Sequence, residues 1–362
     1  MAVDILRYVS STLLFFLVFG MSATVDVESL KAQLKNAKAV CIGLLLQFVL
    51  LPLIGFITVK LFNFDHASGL ILLVVTSSPG GSYSNWWCSM FNADLALSVT
   101  LTAISTILSV IILPFNLLLY SRLAYRADLA EIVDWGSLAL ALLLVICAVS
   151  CGLLSSAIMK SHSFNLSANR LGNIAGIMLV IFSAIISSSN ENARIWNREV
   201  QFYVGVAVPS FIALILGNLI TIALRLPHVE VVTISIESCY QNVGIAMSVA
   251  LATFYGENLA RAVAVPFYYG VIQGLLTFVY SVGAWKMGWT KAPANVPFWV
   301  MICTSYEILC LELDEEECGK DSDDFVYVEG NTEKPLTDTD NKFRIYESGE
   351  GLGKQMPHME LT

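Results

Sequence analysis

Charge is what this sequence has least of. Asp, Glu, Lys and Arg make up 14% of its 362 residues, against about 25% in soluble domains. Apolar residues make up 56%. A chain so composed cannot cover itself with water-facing surface, and an ordinary soluble domain is excluded. Paired cysteines are also missing. Eight cysteines contain no CxxC spacing, which excludes a zinc ribbon and a disulfide framework. Cys41, Cys88, Cys147, Cys151 and Cys239 lie in apolar segments, where cysteine acts as a small packing residue. No nucleophile–base pair or metal-ligand motif is present, so the chain is not expected to be an enzyme. No cofactor and no nucleic-acid partner are expected.

The charge that is present lies mostly at one end. From Lys291 to Thr362 there are 16 acids and 6 bases, whereas residues 1–290 hold 13 acids and 14 bases. The acidic balance therefore describes a tail and not the apolar body. The chain divides into a membrane domain, 1–288, and an acidic tail, 289–362. The tail's polar composition predicts disorder, and it is a candidate docking segment for trafficking or scaffold proteins.

Nine apolar segments reach the roughly 20 residues that a membrane-spanning helix needs. They cover 5–22, 39–60, 67–91, 94–120, 134–159, 171–188, 200–224, 229–255 and 261–286. The first, with Arg7 ahead of its core, also fits a signal peptide cleaved after Ser22. It is read as a span because the topology below requires it. Basic residues divide almost evenly between the two sides. The three lysines of the first loop, Lys31, Lys35 and Lys38, favour an external N-terminus and a cytoplasmic tail. The expected location is the plasma membrane.

Two of these spans are interrupted. The third contains Ser78-Pro79-Gly80-Gly81-Ser82-Tyr83-Ser84-Asn85, where proline removes an amide hydrogen and glycine loosens the helix. The eighth contains Glu237-Ser238-Cys239-Tyr240-Gln241-Asn242, a polar run with an acid inside an apolar segment. Such breaks persist in a membrane only where they are buried in protein or line a cavity. The two spans lie an odd number apart and so enter the membrane in opposite directions. Matching breaks in oppositely oriented halves are the pattern of an inverted-repeat secondary transporter.

Glu237 carries the chemistry. A carboxylate at mid-bilayer is unfavourable by ~2.5–3.5 kcal/mol or more, and no Lys or Arg occupies a mid-span position in residues 1–290. A bound cation or a proton answers that need. Around the breaks stand Gln47, Ser82, Ser84, Asn85, Ser98, Thr102, Gln241 and Asn242, the oxygen donors that hard cations take. The absence of histidine and paired thiolates from this set argues against a transition metal. Half-helix N-termini at each break favour an anionic group. Among lesser signals, Asp94 is read as a helix cap and Trp86-Trp87 as packing or interface residues. Asn165-Leu166-Ser167 is a sequon on the inner side, and Tyr306-Glu307-Ile308-Leu309 fits a tyrosine-based sorting pattern.

At these residues the sequence resembles the sodium/bile acid cotransporter family. The run from Pro79-Gly80-Gly81 through Ser84-Asn85, Asp94, Leu97-Ser98 and Ser105-Thr106 to Pro114 is similar to one family signature. Glu237 followed by Gln241-Asn242 is similar to a second, and Gln47 with Pro52 also fits. The resemblance spans roughly residues 5–286. It implies an all-α polytopic membrane protein of about nine helices in two inverted repeats, with broken helices crossing at mid-membrane and panel and core subdomains. It implies one sodium site at Ser84, Asn85, Ser98, Thr102 and Glu237. A second would use Gln47, Glu237 and Gln241 with the carbonyls of Ser238 and Tyr240. Substrate would sit near Ser82 and Asn242. Thr76-Ser77-Ser78, Ser82-Tyr83 and Trp86-Trp87 depart from the family pattern and alter the cavity wall, not the implied sodium ligands. The function expected is sodium-coupled symport of an organic anion: a bile acid, a sulfated steroid or a smaller carboxylate. A proton-coupled anion carrier and a transport-inactive family member acting as a regulator are the alternatives.

Overall fold

The computed structural model describes residues 2–23, 35–125, 135–159 and 198–303, with Tyr306 and scattered positions between 164 and 185. Every regular element among them is helical. Helix α1 is Ala2–Ala23 and α2 is Ala37–Leu61. α3 (His66–Ser77) and α4 (Ser82–Met90) are the two halves of the first interrupted span. α5 (Leu95–Tyr125), α6 (Trp135–Met159) and α7 (Val200–Ala223) follow. α8 (His228–Cys239) and α9 (Val243–Thr253) are the halves of the second. α10 (Gly256–Lys286) and the short α11 (Phe298–Cys303) complete the order.

Helices α2, α5, α7 and α10 are each long and apolar enough to cross a membrane alone. The broken halves are not: the twelve residues of α3 rise only about 18 Å. The protein is an all-α polytopic membrane protein. Its outer surface agrees with its composition. Leu45, Val49, Leu53, Ile57 and Leu61 lie four apart along α2 and are 40–71% exposed. An apolar stripe of this length on the outside of a bundle faces lipid, not water. The broken helices behave oppositely. Every residue of α3 from Ala67 to Ser77 is buried, as is every residue of α8 from Val231 to Cys239. The interrupted backbone is thereby kept from hydrocarbon, as its unpaired polar groups require.

Hydrogen bonds sort the loops to two ends. At one, Lys38 Nζ donates to the Leu224 carbonyl (2.6 Å), Asn36 Nδ2 to Glu230 Oε1 (2.8 Å) and the Asp94 amide to Thr233 Oγ1 (2.9 Å). At the other, Gln201 Nε2 donates to the Phe62 carbonyl (2.7 Å) and Lys60 Nζ to the Ala124 carbonyl (3.2 Å). Asp94 caps α5, its Oδ1 accepting from the Leu97 amide at 2.9 Å. α1 lies chiefly against α6. It also touches the 164–185 positions so closely that a Cβ on Gly20 would stand 2.7 Å from the Cα of Gly172.

The chain after α10 folds back on the first group of loops. Trp285 Nε1 donates to the Pro293 carbonyl at 2.9 Å. Asn92, left-handed at φ 54° beyond the end of α4, accepts the Lys291 amide on its carbonyl (2.8 Å) and the Tyr306 amide on Oδ1 (2.8 Å). Its Nδ2 donates to the Met301 carbonyl at 3.2 Å. Phe91, Trp285, Met301 and Tyr306 are buried together there. Tyr306 is thus inside a packed cluster, while Glu307, Ile308 and Leu309 of the sorting pattern, and Asn165 and Leu166 of the sequon, lie outside the described residues.

Candidate functional site

Each break has its own cause. Proline restricts the residue before it to extended backbone, and Ser78 ends α3 at ψ 157°. α4 restarts after an extended Gly81. In the second break no proline is present. α8 ends at Tyr240 (ψ 99°), and Asn242 starts α9 by accepting the amides of Gly244 (3.1 Å) and Ile245 (3.3 Å) on Oδ1.

The extended segments lie side by side. The Gly81 amide donates to the Tyr240 carbonyl (3.1 Å) and the Asn242 amide to the Pro79 carbonyl (3.0 Å). Gly80 and Gln241 therefore face each other as an antiparallel bridge. Two spans crossing this way run in opposite directions, as the alternation of spans predicts. Gly80 is required by closeness. A Cβ there would stand 2.6 Å from Glu237 Oε2 and 3.2 Å from Gln47 Nε2.

Three of the expected residues gather on Glu237, which is 2% exposed, and Asn85 lies behind two of them. Ser84 donates to Glu237 Oε1 at 2.7 Å, and Thr102 reaches Oε2 at 3.2 Å. Ser98 also reaches Oε1, in a very short contact. Asn85 Oδ1 lies 2.7 Å from Ser98 Oγ and 3.1 Å from Thr102 Oγ1. With Glu237 ionised and Asn85 presenting Oδ1, the hydroxyl hydrogens are over-subscribed. Each hydroxyl carries one hydrogen. Ser98 and Thr102 each face both Asn85 Oδ1 and Glu237, and Ser84 faces both Glu237 and the Gly81 carbonyl, the latter at 2.7 Å. Three hydrogens serve six donor–acceptor pairs. Such an oxygen excess is relieved by a hard cation, which takes oxygen ligands of these types. Among the described residues no Lys or Arg forms a salt bridge with Glu237.

A second set adjoins it. Gln47 is 1% exposed and sits in a π-helical turn, Leu46–Leu50, a distortion often found at functional sites. Its Nε2 has no hydrogen-bond partner, nor does Oε1 of Gln241. Gln241 Nε2 donates to the Ser238 carbonyl at 3.1 Å, while the Tyr240 carbonyl accepts from Gly81. A buried amide atom without a partner is unusual, and both residues stand against Gly80, Gln47 by close approach and Gln241 as its bridge partner.

Beside the crossing is a cavity of about 200 Å³. Leu17 and Gly176 form one wall. Tyr83, Asn242, Phe267 and Gln273 lie on the others, and among the described residues no charged one lines it. Asn242 reaches the cavity while also capping α9. Ser82 opens α4, but its side chain lies outside the described part. Neither Trp86 nor Trp87 is among the described residues that line the cavity. Trp86 is 53% exposed and Trp87 stacks on Phe91.

Residues 11–195 match the sodium bile acid symporter family. The chain belongs to that family. The matched stretch holds Gln47 and the first break; Glu237 lies beyond it. Relatives extend the likeness further. The human ileal sodium/bile acid cotransporter is 24% identical over 272 residues, covering 74% of this chain and 76% of the relative. The human hepatic sodium/bile acid cotransporter is 25% identical, over 72% of this chain and 74% of the relative. A sodium-dependent organic anion transporter from Bos taurus is 25% identical, over 77% and 73% respectively. This is a family of transporters, so multi-pass membrane embedding is common ground between the family and the helices described above.

Sequence reasoning missed two residues at the crossing. Ser105 Oγ accepts the Gly80 amide at 3.3 Å, and Gln273 pairs with the backbone of Gln241. Ser105 stood in the signature without a role. Gln273 was detectable only as one polar residue in the run Tyr269, Gln273, Thr277, Ser281, four apart and all fully buried on α10.

Proposed function

We propose that the chain is a sodium-coupled symporter of organic anions that works by alternating access. The observation that carries this reading is the gathering of three hydroxyl oxygens on the buried Glu237 carboxylate, with Asn85 behind them, in a member of a sodium symporter family. One sodium would be held by Ser84, Asn85, Ser98, Thr102 and Glu237. A second would take Gln47, Glu237 and Gln241 with the carbonyls of Ser238 and Tyr240. Sodium is cargo here, and its binding neutralises a carboxylate that the membrane otherwise disfavours. The anion would enter beside Asn242 and Ser82, at the positive dipole ends of α4 and α9.

α1, α6 and the 164–185 positions would form the moving panel, and the remaining helices the core. The cavity lies between Leu17 and Gly176 on one side and the crossing on the other, where such rocking changes access. At about 200 Å³ it is below the ~300–1,000 Å³ of typical ligand pockets. This conformation suits a smaller carboxylate better than a bile acid. Two sodium ions with one monoanion carry net positive charge, worth ~2.3 kcal/mol per 100 mV of membrane potential. The N-terminus would lie outside the plasma membrane, residues 1–288 would form the transporter, and 289–362 a cytoplasmic tail.

The test is an uptake screen with taurocholate, steroid sulfates and small hydroxy or keto acids, in sodium and in choline. At least one anion should enter only with sodium. Uptake of every transported anion at equal rates in both salts would end the symport reading. Uptake driven by acid outside and indifferent to sodium would favour the proton-coupled alternative.

A further inference from the structure

In an antiparallel bridge whose flanking residues exchange the hydrogen bonds, the facing residues turn their own amide and carbonyl outward. Gly80 and Gln241 are such a pair, since Gly81 bonds Tyr240 and Asn242 bonds Pro79. The outward amide of Gly80 is met by Ser105. The outward groups of Gln241 are both met by one side chain. Gln273 Oε1 accepts the Gln241 amide at 2.9 Å, and Gln273 Nε2 donates to the Gln241 carbonyl at 3.1 Å. A side-chain amide here does what the peptide of a third strand would do.

Gln273 is fully buried on α10 and also lines the cavity. Gln241 is 1% exposed, and its Oε1 points into protein without a partner. The residue that borders the anion cavity therefore holds, by two bonds, the backbone from which the second cation set hangs.

We propose that Gln273 is the positioning residue that fixes Gln241 for sodium and links the anion cavity to the second sodium site. This rests on the symport reading above. Filling the cavity presses on Gln273, and Gln273 sets the rotation of the Gln241 backbone. An anion bound there tightens sodium, and sodium tightens the anion by the same factor. A merely structural Gln273 would satisfy two buried backbone groups and leave sodium affinity alone.

The experiment measures sodium half-saturation of anion uptake, and the anion KM at saturating sodium, in Gln273→Met, Gln273→Glu and Thr277→Val. Methionine keeps the length and removes both hydrogen bonds. It should raise the half-saturating sodium about tenfold and, because the coupling is reciprocal, also raise the anion KM at saturating sodium. Glutamate keeps the acceptor and should shift sodium less than methionine does. If the methionine variant fails to reach the membrane, the glutamate variant decides, since any rise in half-saturating sodium supports the coupling. Thr277 is equally buried one turn away, its hydroxyl toward the Cys239 thiol and not the Gln241 backbone, so its valine variant should match wild type. Unchanged half-saturating sodium in the Gln273 variants, or an equal rise in Thr277→Val, would overturn the proposal. Wild-type uptake indifferent to sodium would instead remove the symport reading on which it stands.

Discussion

The two broken helices arrive at the same geometry by different routes. The first is broken by covalent chemistry. Pro79 has no amide hydrogen and keeps Ser78 extended, and Gly80 leaves room for Glu237 and Gln47. The second contains neither proline nor glycine between Cys239 and Val243. Side chains break it: Asn242 caps the next helix and Gln273 binds the outward-turned peptide groups of Gln241. One break is local to its sequence, and the other is supplied by tertiary structure. The acid lies next to the second, so its position depends on contacts that a distant substitution can disturb.

Glu237→Gln should produce the largest change. The first cation set loses its only carboxylate, and sodium-dependent uptake should fall on the order of 100-fold, since bonds to charged groups are the strong ones. Uptake in sodium against choline measures this, and full retained coupling would place the cation elsewhere. Gly80→Ala should come next. Its Cβ would sit 2.6 Å from Glu237 Oε2, whereas a Cβ at Gly274 meets nothing within 4 Å. The first should reduce sodium-dependent uptake about tenfold or more through displacement of a buried group, an overpacking effect of ~1–3 kcal/mol. Gly274→Ala should match wild type. Similar losses from both would remove the close-approach argument.

Asn242→Ala should be smaller in stability. Loss of the cap at α9 is worth ~0.5–2 kcal/mol, read as a lowered melting temperature of the purified protein. Pro79→Ala tests the contrast most narrowly. The Gly80 and Gly81 amides already have partners in Ser105 and Tyr240, so the first break should survive in shape. Sodium dependence should be kept with a modest loss of stability. A Pro79→Ala effect as large as that of Glu237→Gln would mean that proline alone holds the crossing open.

The same contrast explains what could be read from sequence. Spans announce themselves by length and hydropathy, and the first break by Pro79-Gly80-Gly81, because both signals are local. Glu237 stood out because an acid in an apolar segment demands a partner. Ser84, Asn85, Ser98 and Thr102 stood out as oxygen donors near the breaks, but their grouping into one site came from family resemblance; the structure brings Ser84, Ser98 and Thr102 to the carboxylate and Asn85 to the last two. Gln273 was not legible. It lies in a long unbroken helix and serves the backbone of another segment, and backbone groups leave no trace in residue pattern. The dual position of Asn242, at the cavity and as a cap, was hidden for the same reason. The stretch after Lys286 shows a further limit. Its composition marks a tail, yet Asn92 binds it at three points.

The central claim is that a sodium ion completes the oxygen cluster at Glu237. Thermal unfolding of the purified protein, titrated with sodium chloride against choline chloride, tests it without requiring the substrate. At sodium one hundredfold above its dissociation constant, linkage adds ~2.7 kcal/mol of stability. The wild-type melting temperature should therefore climb with sodium and stay flat with choline, and Glu237→Gln should be flat in both. Equal curves for the two salts in the wild type, or an undiminished sodium response in the variant, would contradict the account.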